Sequence, residues 1–350
     1  MTNIVLSQSA RQGRRQTHVA RYVIPIVALG FLIILATAIG SSWIGPDRVI
    51  AALVGQGTAT DHIIIWTLRL PRVALAILSG AALALAGLLL QTVVRNSIAS
   101  PSVLGIVDGA AVGVVLFLWL CSNENNALTV SVHWLPLAAT CGAAVFAFSV
   151  AFLAKGDIAQ PARLILYGIA CAALAKALVT VLVILGPVYR SSQALIWLAG
   201  SVHTAHWQDA AILATVLFCA LLTILALCPA CEQMALDHET ASATGLSVTQ
   251  SKAAALALSV ILTAAAVSFA GGIAFVGLIV PNLARALLGA SFKRRAVLVP
   301  ILGAAMVLGA DILARVIAFP LELPTGSITA IIGAPYFLFL LMQKIKHGQT

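Results

Sequence analysis

An uncharged run of eighteen residues, Val73 to Leu90, is the feature that most constrains this chain. At a rise of about 1.5 Å per residue, an α-helix of that length spans roughly 27 Å, close to the hydrocarbon thickness of a bilayer. Arg69 and Arg72 precede the run and Arg95 follows it. We therefore predict a transmembrane helix whose two cationic ends are exposed to solvent and available for binding.

The composition extends this prediction to the rest of the chain. Of 350 residues, 61% are hydrophobic and only 9% are charged, and the mean hydropathy is +1.06, which is unlike a soluble domain. The predicted fold class is therefore an all-α polytopic membrane protein. Apolar runs predict about ten transmembrane helices, near residues 22–40, 73–91, 103–121, 134–153, 163–186, 209–228, 252–270, 273–289, 296–316 and 327–343.

The positions of the cations give the predicted topology. The net charge is +9, from 20 Lys and Arg against 11 Asp and Glu. With the N-terminus inside, most cations lie on the cytoplasmic side, as the positive-inside rule requires. The exceptions are five outer arginines and one lysine within a helix, namely Arg48, Arg69, Arg72, Arg190, Arg315 and Lys176. The basic excess therefore reports topology, both termini are predicted to be cytoplasmic, and no nucleic acid is implied.

Two segments make up the predicted organisation. Residues 1–21 form a basic cytoplasmic segment, and residues 22–345 form one transmembrane domain. The first apolar segment is too long for a signal-peptide core and has no small-residue cleavage site, so we expect it to be retained.

The longest internal polar stretch, about residues 229–251, is acidic although it is predicted to be cytoplasmic. It includes Glu232, Asp237 and Glu239. One interpretation is a solvated connection between helices. The other is a docking element for a cytoplasmic partner, in which Gly245 ends a short helix.

Several enzyme classes are disfavoured by missing motifs. The dipeptide Gly-Lys does not occur, so the chain has no phosphate-binding P-loop, and ATP would have to be hydrolysed by another subunit. His238 and Glu239 begin like a zinc-protease helix, but Ser242 replaces the second histidine. Catalytic spacing of His, Asp, Glu or Ser is absent from the apolar runs. We predict no catalytic residue, metal site or cofactor in this chain.

The second half carries signals of a packed helical bundle. Gly271 and Gly272 permit close backbone approach, and Pro281 interrupts a helix whose free carbonyl needs a neighbour. Asp311 and Arg315 have i, i+4 spacing near an outer helix end. Either they form a local ion pair, or Arg315 faces a partner.

Ordered motifs run along most of the chain, from about residue 45 to 343. RLPR stands at 69–72, followed by a glutamine-to-glycine segment, an acidic ETASATG segment, GLIVPNLAR, ADILAR and a final ELPTG segment. This series resembles the permease family of ABC importers for iron-siderophores, haem and vitamin B12. The matching positions beyond RLPR are Gln91, Asn96, Pro101, Gly105, Glu239, Ala241, Gly245, Gly277, Pro281, Arg285, Asp311, Arg315, Glu322, Pro324 and Gly326.

The resemblance implies a multi-subunit importer in the bacterial inner membrane. A ten-helix chain would pair with a second permease, identical or homologous, around a central path. Two ATP-binding subunits, which bind ATP and Mg, would lie below, and a periplasmic or lipid-anchored binding protein above. The resemblance assigns Arg69, Arg72 and Arg315 to binding-protein docking. It assigns Asp237, Glu239, Ala241 and Gly245 to the loop that couples to the ATPase.

Three positions depart from the family pattern. Asn282 replaces a common histidine, Ser97 replaces proline, and Asp108 stands where a small or neutral residue is usual. An ionisable residue at membrane depth is a functional candidate. Asp108 and Lys176 therefore either line the path or pair within the bundle.

A ferric siderophore is the expected cargo, with haem or cobalamin as alternatives. His203 and His206, three residues apart near an outer loop, are compatible with haem. A function of another class is also open: an ion-coupled secondary transporter that uses Asp108, Lys176 and Asp311 as a relay. That transporter would work without an ATPase and would stop when a protonophore is added.

Overall fold

The computed structural model describes residues 2–40, 44–122, 128–154, 161–186, 188–234, 240, 245, 247–319 and 321–346. It is 84% helical, and no strand is assigned in these ranges. The predicted all-α fold class is therefore confirmed. The α-helices are α1 (Thr2–Ala38), α2 (Pro46–Leu53), α3 (Ala59–His62), α4 (Leu70–Val94), α5 (Ile106–Leu120), α6 (Leu135–Leu153), α7 (Pro161–Leu185), α8 (Val188–Ala199), α9 (Trp207–Gln233), α10 (Val248–Ala270), α11 (Val276–Leu288), α12 (Phe292–Ile317) and α13 (Thr325–Lys346).

Ten of these helices correspond to the ten predicted from apolar runs. Within the described ranges, eight helical segments are long and apolar enough to cross a membrane, and α5 and α11 are shorter apolar helices. Boundaries differ at several ends. Helix α9 continues to Gln233, so the polar stretch predicted from residue 229 begins as helix. Helices α2, α3 and α8 were not predicted, because they are short and lack a membrane-length apolar run.

Helix α4 is the centre of the bundle. It packs against α9, α10, α11 and α12, and most of its residues are buried. Two pairs of glycines bring backbones together: a Cβ on Gly87 would lie 1.8 Å from the carbonyl oxygen of Gly277, and one on Gly80 would lie 2.3 Å from that of Gly303. Small residues allow such contact because they remove the side chains that normally separate helices.

Helices α5, α6 and α7 form the side of the bundle away from α12. Helix α5 packs against both α6 and α7, and α6 reaches α10. A single cluster of buried apolar side chains joins this side to the residues around α4. Helix α7 contributes little to the cluster, since only 28% of its most apolar window is buried. Much of its apolar surface is therefore free within one chain.

Candidate functional site

The RLPR segment lies where a π-helical turn, Ile63–Arg69, continues directly into α4. Pro71 is in the first turn of α4, where its missing N–H breaks no helical hydrogen bond. Arg69 Nη1 donates to the carbonyl oxygens of Thr37 (2.7 Å) and Ala38 (2.8 Å) at the end of α1. A guanidinium there satisfies carbonyls that have no helical partner. Arg69 thus ties the start of α4 to the C-terminal end of α1.

Asp311 is the centre of a buried charge cluster at the same end of the bundle. Arg72 binds it bidentately, with Nη2 2.8 Å from Oδ1 and Nε 3.2 Å from Oδ2. Arg315, one turn along α12, donates from Nη2 to Oδ2. The hydroxyl of Thr325, at the start of α13, donates to Oδ1 over 3.2 Å. One carboxylate therefore joins α4, α12 and α13.

Arg315 also links this cluster to α1. Its Nη1 donates to the carbonyl oxygens of Ala36 (3.0 Å) and Ile39 (3.1 Å). Arg69 and Arg315 consequently cap neighbouring carbonyls at the same helix end. Both contacts are favourable because the C-terminus of a helix carries a partial negative charge that attracts cations.

The prediction that Arg69 and Arg72 are exposed is wrong, whereas Arg95, at the other end of the apolar run, is exposed as predicted. Arg69, Arg72 and Arg315 are only 5%, 6% and 6% exposed, and Asp311 is fully buried. The reason is that three helix ends and a carboxylate meet here, so protein groups replace the water that would otherwise solvate the cations. The local Asp311–Arg315 ion pair is present. The pair with Arg72, 239 residues away, could not be read from sequence spacing.

Solvent reaches the cluster through Glu322 and His203. Arg72 Nη1 lies 2.7 Å from Glu322 Oε2 and 3.0 Å from His203 Nδ1. The His203 Nδ1 atom is itself 2.7 Å from Glu322 Oε2. The side chain of Glu322 is 31% exposed and that of His203 is 58% exposed. In the sequence, Glu322 stands out only as part of a family motif, and no pattern links His203 to this cluster. Of the contacts in this cluster, only the Asp311–Arg315 pair could be predicted, from its i, i+4 spacing.

A different outer arginine is exposed. Of the outer arginines whose side chains are described, only Arg48 is exposed, at 55% of its side chain. It binds the buried carboxylate of Asp61, with Nη2 2.5 Å from Oδ1 and Nε 3.2 Å from Oδ2. Arg48 lies on α2, one of the helices that the apolar pattern did not predict. Sequence reasoning placed it outside but gave it no role.

Side-chain amides hold the loop after the C-terminal end of α4 in place. Gln91 Nε2, which is buried, donates to the carbonyl oxygens of Ala99 (3.3 Å) and Leu278 (3.2 Å). Asn282 Nδ2 donates to those of Ser97 (2.7 Å) and Leu278 (2.7 Å). Asn282, at the position where the family commonly has histidine, therefore holds the 95–100 loop against α11.

The remaining motif positions of this loop shape the backbone. The carboxamide oxygen of Asn96 accepts from the N–H of Ile98 over 2.9 Å. Pro101 opens a 3₁₀ turn, Pro101–Leu104. Gly105 ends that turn with φ +71°, a left-handed conformation that favours glycine, and α5 begins directly after it.

Motif residues in the second half also act through packing. Gly277 forms the close approach to α4 described above, Pro281 lies inside α11, and Arg285 is exposed near the end of that helix. Pro324 accepts a hydrogen bond from the N–H of Ser327 over 3.1 Å as α13 begins. A Cβ on Gly326 would lie 2.2 Å from the carbonyl oxygen of Ala199 in α8. Most of these positions thus serve helix contacts.

The predicted coupling segment is only partly described. Asp237, Glu239 and Ala241 lie outside the described residues. Gly245 has φ +83°, the left-handed conformation expected of a residue that ends a helix. Before this segment, Glu232 Oε1 accepts from Ser291 Oγ (2.8 Å) and from the N–H of Lys293 (2.8 Å) at the start of α12. This contact was not foreseen, and it anchors the end of α9 to α12.

The two membrane-depth charges do not form a close pair. Asp108 is half-buried in the first turn of α5, while Lys176 is exposed on α7. Their charges lie near enough to interact electrostatically. Among the described residues, none forms a hydrogen bond or close ion pair with the Lys176 ammonium.

A helical bundle with eight segments long and apolar enough to cross a membrane, and with a buried ionic cluster at one end, is typical of an integral membrane protein with many spans. The model of the FecCD transport family matches residues 28–343. The chain belongs to this family.

Individual relatives match over nearly their whole length. A Bacillus subtilis protein named as a probable siderophore transport system permease, YfhA, is 40% identical over 91% of this chain and 94% of its own. The achromobactin transport system permease CbrC of Dickeya dadantii is 37% identical over 95% and 96%. A solved structure described as the inward-facing conformation of a metal-chelate type ABC transporter shares 26% identity with a TM-score of 0.79, covering 92% of this chain and 98% of that one.

Proposed function

We propose that this chain is the permease subunit of an ATP-driven importer that carries a ferric siderophore across the inner membrane. The observation that carries the proposal is the family match over residues 28–343. Two relatives named for siderophore and achromobactin transport support an iron chelate as cargo. Haem and cobalamin are the alternative cargoes.

The proposed assembly has two permease chains, identical or homologous, and two separate subunits that bind ATP and Mg. A periplasmic or lipid-anchored binding protein delivers the chelate at the outer face. Both termini are cytoplasmic in this arrangement. The excess of cations on the proposed inner side supports this orientation. It also assigns the Asp311 cluster to the outer side and the acidic loop to the ATPase side.

The docking role predicted for Arg69, Arg72 and Arg315 takes an indirect form in this proposal. Because all three are engaged inside the chain, they position the outer helix ends rather than meet the binding protein as free cations. Two residues with more exposed side chains are available for direct contact with the binding protein. Glu322 lies beside Arg72, and Arg48 lies on α2. Exposed charges of this kind contribute about 0.2–1 kcal/mol each and mainly affect orientation and association rate.

Purification of the tagged chain from native membranes tests the proposal. We expect ATP-binding subunits to co-purify, and we expect reconstituted vesicles to take up iron-loaded chelates only with ATP and binding protein. Vanadate, a phosphate analogue, should stop uptake. Transport by the chain alone, driven by a proton gradient and indifferent to ATP, would instead establish the secondary transporter.

The coupling loop gives a second test within the same assembly. Glu239→Lys reverses a charge at the proposed ATPase contact, so we expect normal expression with ATP-driven uptake reduced about tenfold or more, the effect of losing roughly 1.4 kcal/mol of coupling. Uptake should be measured beside Arg21→Gln, a change of an exposed charge on α1, outside the loop in sequence. Unchanged uptake by the Glu239 variant removes this residue from the coupling site.

A further inference from the structure

Lys176 lies deep in the membrane-spanning part of α7. Helix α7 runs from Pro161 to Leu185, so Lys176 is about 22 Å from its first residue and about 14 Å from its last at 1.5 Å per residue. These distances place the residue within the hydrocarbon layer rather than at a headgroup region where a lysine can reach water.

Lys176 has no close ionic partner among the described residues of this chain. The side chain is exposed, and the described residues offer its ammonium no hydrogen bond and no close ion pair. Asp108 lies in the first turn of α5, the helix that packs against α7. A Cβ on Gly105 would lie 3.0 Å from the backbone nitrogen of Ala172, so the start of α5 rests against α7 one turn before Lys176. The two charges therefore occupy one region between these helices.

The exposed surface of α7 around Lys176 has two sides of different character. Ala173, Ala177 and Thr180 are exposed beside the lysine, and the Thr180 hydroxyl donates to the Lys176 carbonyl oxygen over 2.9 Å. At 100° per residue, Leu174 and Leu178 lie on the opposite side of the exposed surface and are 58% and 40% exposed. On the lysine's side, its exposed neighbours within one turn are small or polar and suit a water-filled space, although Ile169, two turns earlier on the same side, is 51% exposed. The leucines suit lipid or another apolar helix.

A charged lysine that faces lipid at this depth is strongly unfavourable. Since such residues usually face a bundle interior or a water-filled cavity, the exposed ammonium indicates the passage rather than the lipid. Asp108 lowers the cost of the charge when the passage is empty. It also competes with an anion there, so a bound anion would be held weakly and released, as transport requires.

We propose that Lys176, with Asp108 as counter-charge, is a contact site in the passage for the carboxylates of an anionic iron chelate. This inference rests on the proposed function and narrows its cargo to chelates that carry negative charge. A primary ammonium has three donors on a flexible stem, which lets it follow a passing carboxylate without a fixed geometry.

Uptake of two chelates of different charge tests the site in the complete reconstituted complex. Ferric citrate is the carboxylate probe, and an uncharged ferric hydroxamate is the reference. We expect Lys176→Gln to lower ferric citrate uptake at least about fivefold through loss of the charged contact, while Lys176→Arg retains at least about half. Hydroxamate uptake should stay within about twofold of wild type. Leu178→Gln, which places the same amide on the other side of α7, is the matched control.

Equal losses for both chelates would assign Lys176 to structure, and no loss for ferric citrate would remove it from the passage; either result overturns the inference. If the wild-type complex carries only ferric citrate, the two lysine variants decide the question. The inference stands if Lys176→Gln loses uptake while Lys176→Arg retains it, and it fails if both variants lose uptake equally. If it carries only the hydroxamate, the inference fails. Absence of ATP-dependent uptake of any iron chelate by wild type is a different outcome, because it contradicts the proposed function itself.

Thiol labelling tests the location of Lys176 without reference to cargo. Lys176→Cys in the assembled complex should react with a charged, lipid-insoluble thiol reagent, after the labelling of the otherwise unchanged complex is subtracted. Leu174→Cys, on the lipid or helix-packing side, should not react. Excess ferric citrate should slow the labelling at position 176. An unlabelled Lys176→Cys variant would show that the residue does not face water and would overturn the inference even if transport is normal.

Discussion

Helices α4 and α7 are alike in length and hydropathy but differ in how much of each is buried. Each has 25 residues, and the hydropathy of their most apolar windows is 2.5 and 2.4. Of those windows, however, 83% is buried for α4 and 28% for α7. Hydropathy therefore indicates that a helix enters the membrane but does not indicate what it faces. In lipid, an apolar neighbour of any kind is acceptable, so packing detail decides which helix becomes central.

Two local features account for the difference. Helix α4 carries Gly80 and Gly87, whose backbones touch those of Gly303 and Gly277. It also begins with arginines that bind the ends of α1 and α12. Helix α7 has a charged residue, Lys176, on its exposed surface. The first helix is built to be enclosed by its own chain, and the second leaves a surface for other contacts.

The largest loss of stability is expected at Gly87, where α4 touches the backbone of α11. Gly87→Ala places a Cβ 1.8 Å from a carbonyl oxygen of α11, and backbone on both sides leaves no side chain to move. We expect at least about 4 kcal/mol of destabilisation and little folded protein, measured as thermal unfolding in detergent. Gly309→Ala, in α12, is the control because no atom lies within 4 Å of its added Cβ. Similar stability of the two variants would contradict the direct backbone contact.

The charge cluster that fixes the start of α4 should be the next largest contribution. Asp311→Asn leaves Arg72 and Arg315 buried without their shared carboxylate, which we expect to cost about 3–5 kcal/mol in the free energy of unfolding. Asp209→Asn makes the same change at an outer helix start, where the carboxylate accepts from the N–H of His206 over 3.0 Å. That variant should lose less than about 1 kcal/mol. A loss at Asp311 no greater than the loss at Asp209 would mean that the cluster is not stabilising.

Matched leucines sharpen the comparison directly. Leu88 of α4 is fully buried, whereas Leu174 of α7 is 58% exposed. Leu88→Ala should destabilise the chain by about 2–3 kcal/mol, the low end for a buried leucine because an unfolded membrane helix stays in apolar surroundings. Leu174→Ala should change it by less than about 0.5 kcal/mol. Chemical unfolding of both variants in one detergent measures the difference, and equal effects would mean that α7 is as enclosed as α4.

Much of the architecture was predictable because bilayer thickness imposes a length on apolar helices. The ten apolar runs correspond to ten observed helices, even where their ends shifted. Helix α8, with twelve residues, escaped because its Tyr, Arg, Ser and Gln side chains interrupt any membrane-length run. The site was only half predictable. Asp311 and Arg315 could be paired from their spacing, but the third partner, Arg72, lies on a helix distant in sequence.

Composition, run length and ordered motifs were sufficient to predict the membrane class, the number of apolar helices and the family. They also predict that Asp108 and Lys176 lie at membrane depth. The burial of Arg69, Arg72 and Arg315, the central position of α4 and the exposure of Lys176 depend instead on how the helices pack. The physical reason is that burial and pairing are relations between elements far apart in the chain. Whether an arginine next to an apolar run is buried depends on which helix ends pack around it after folding.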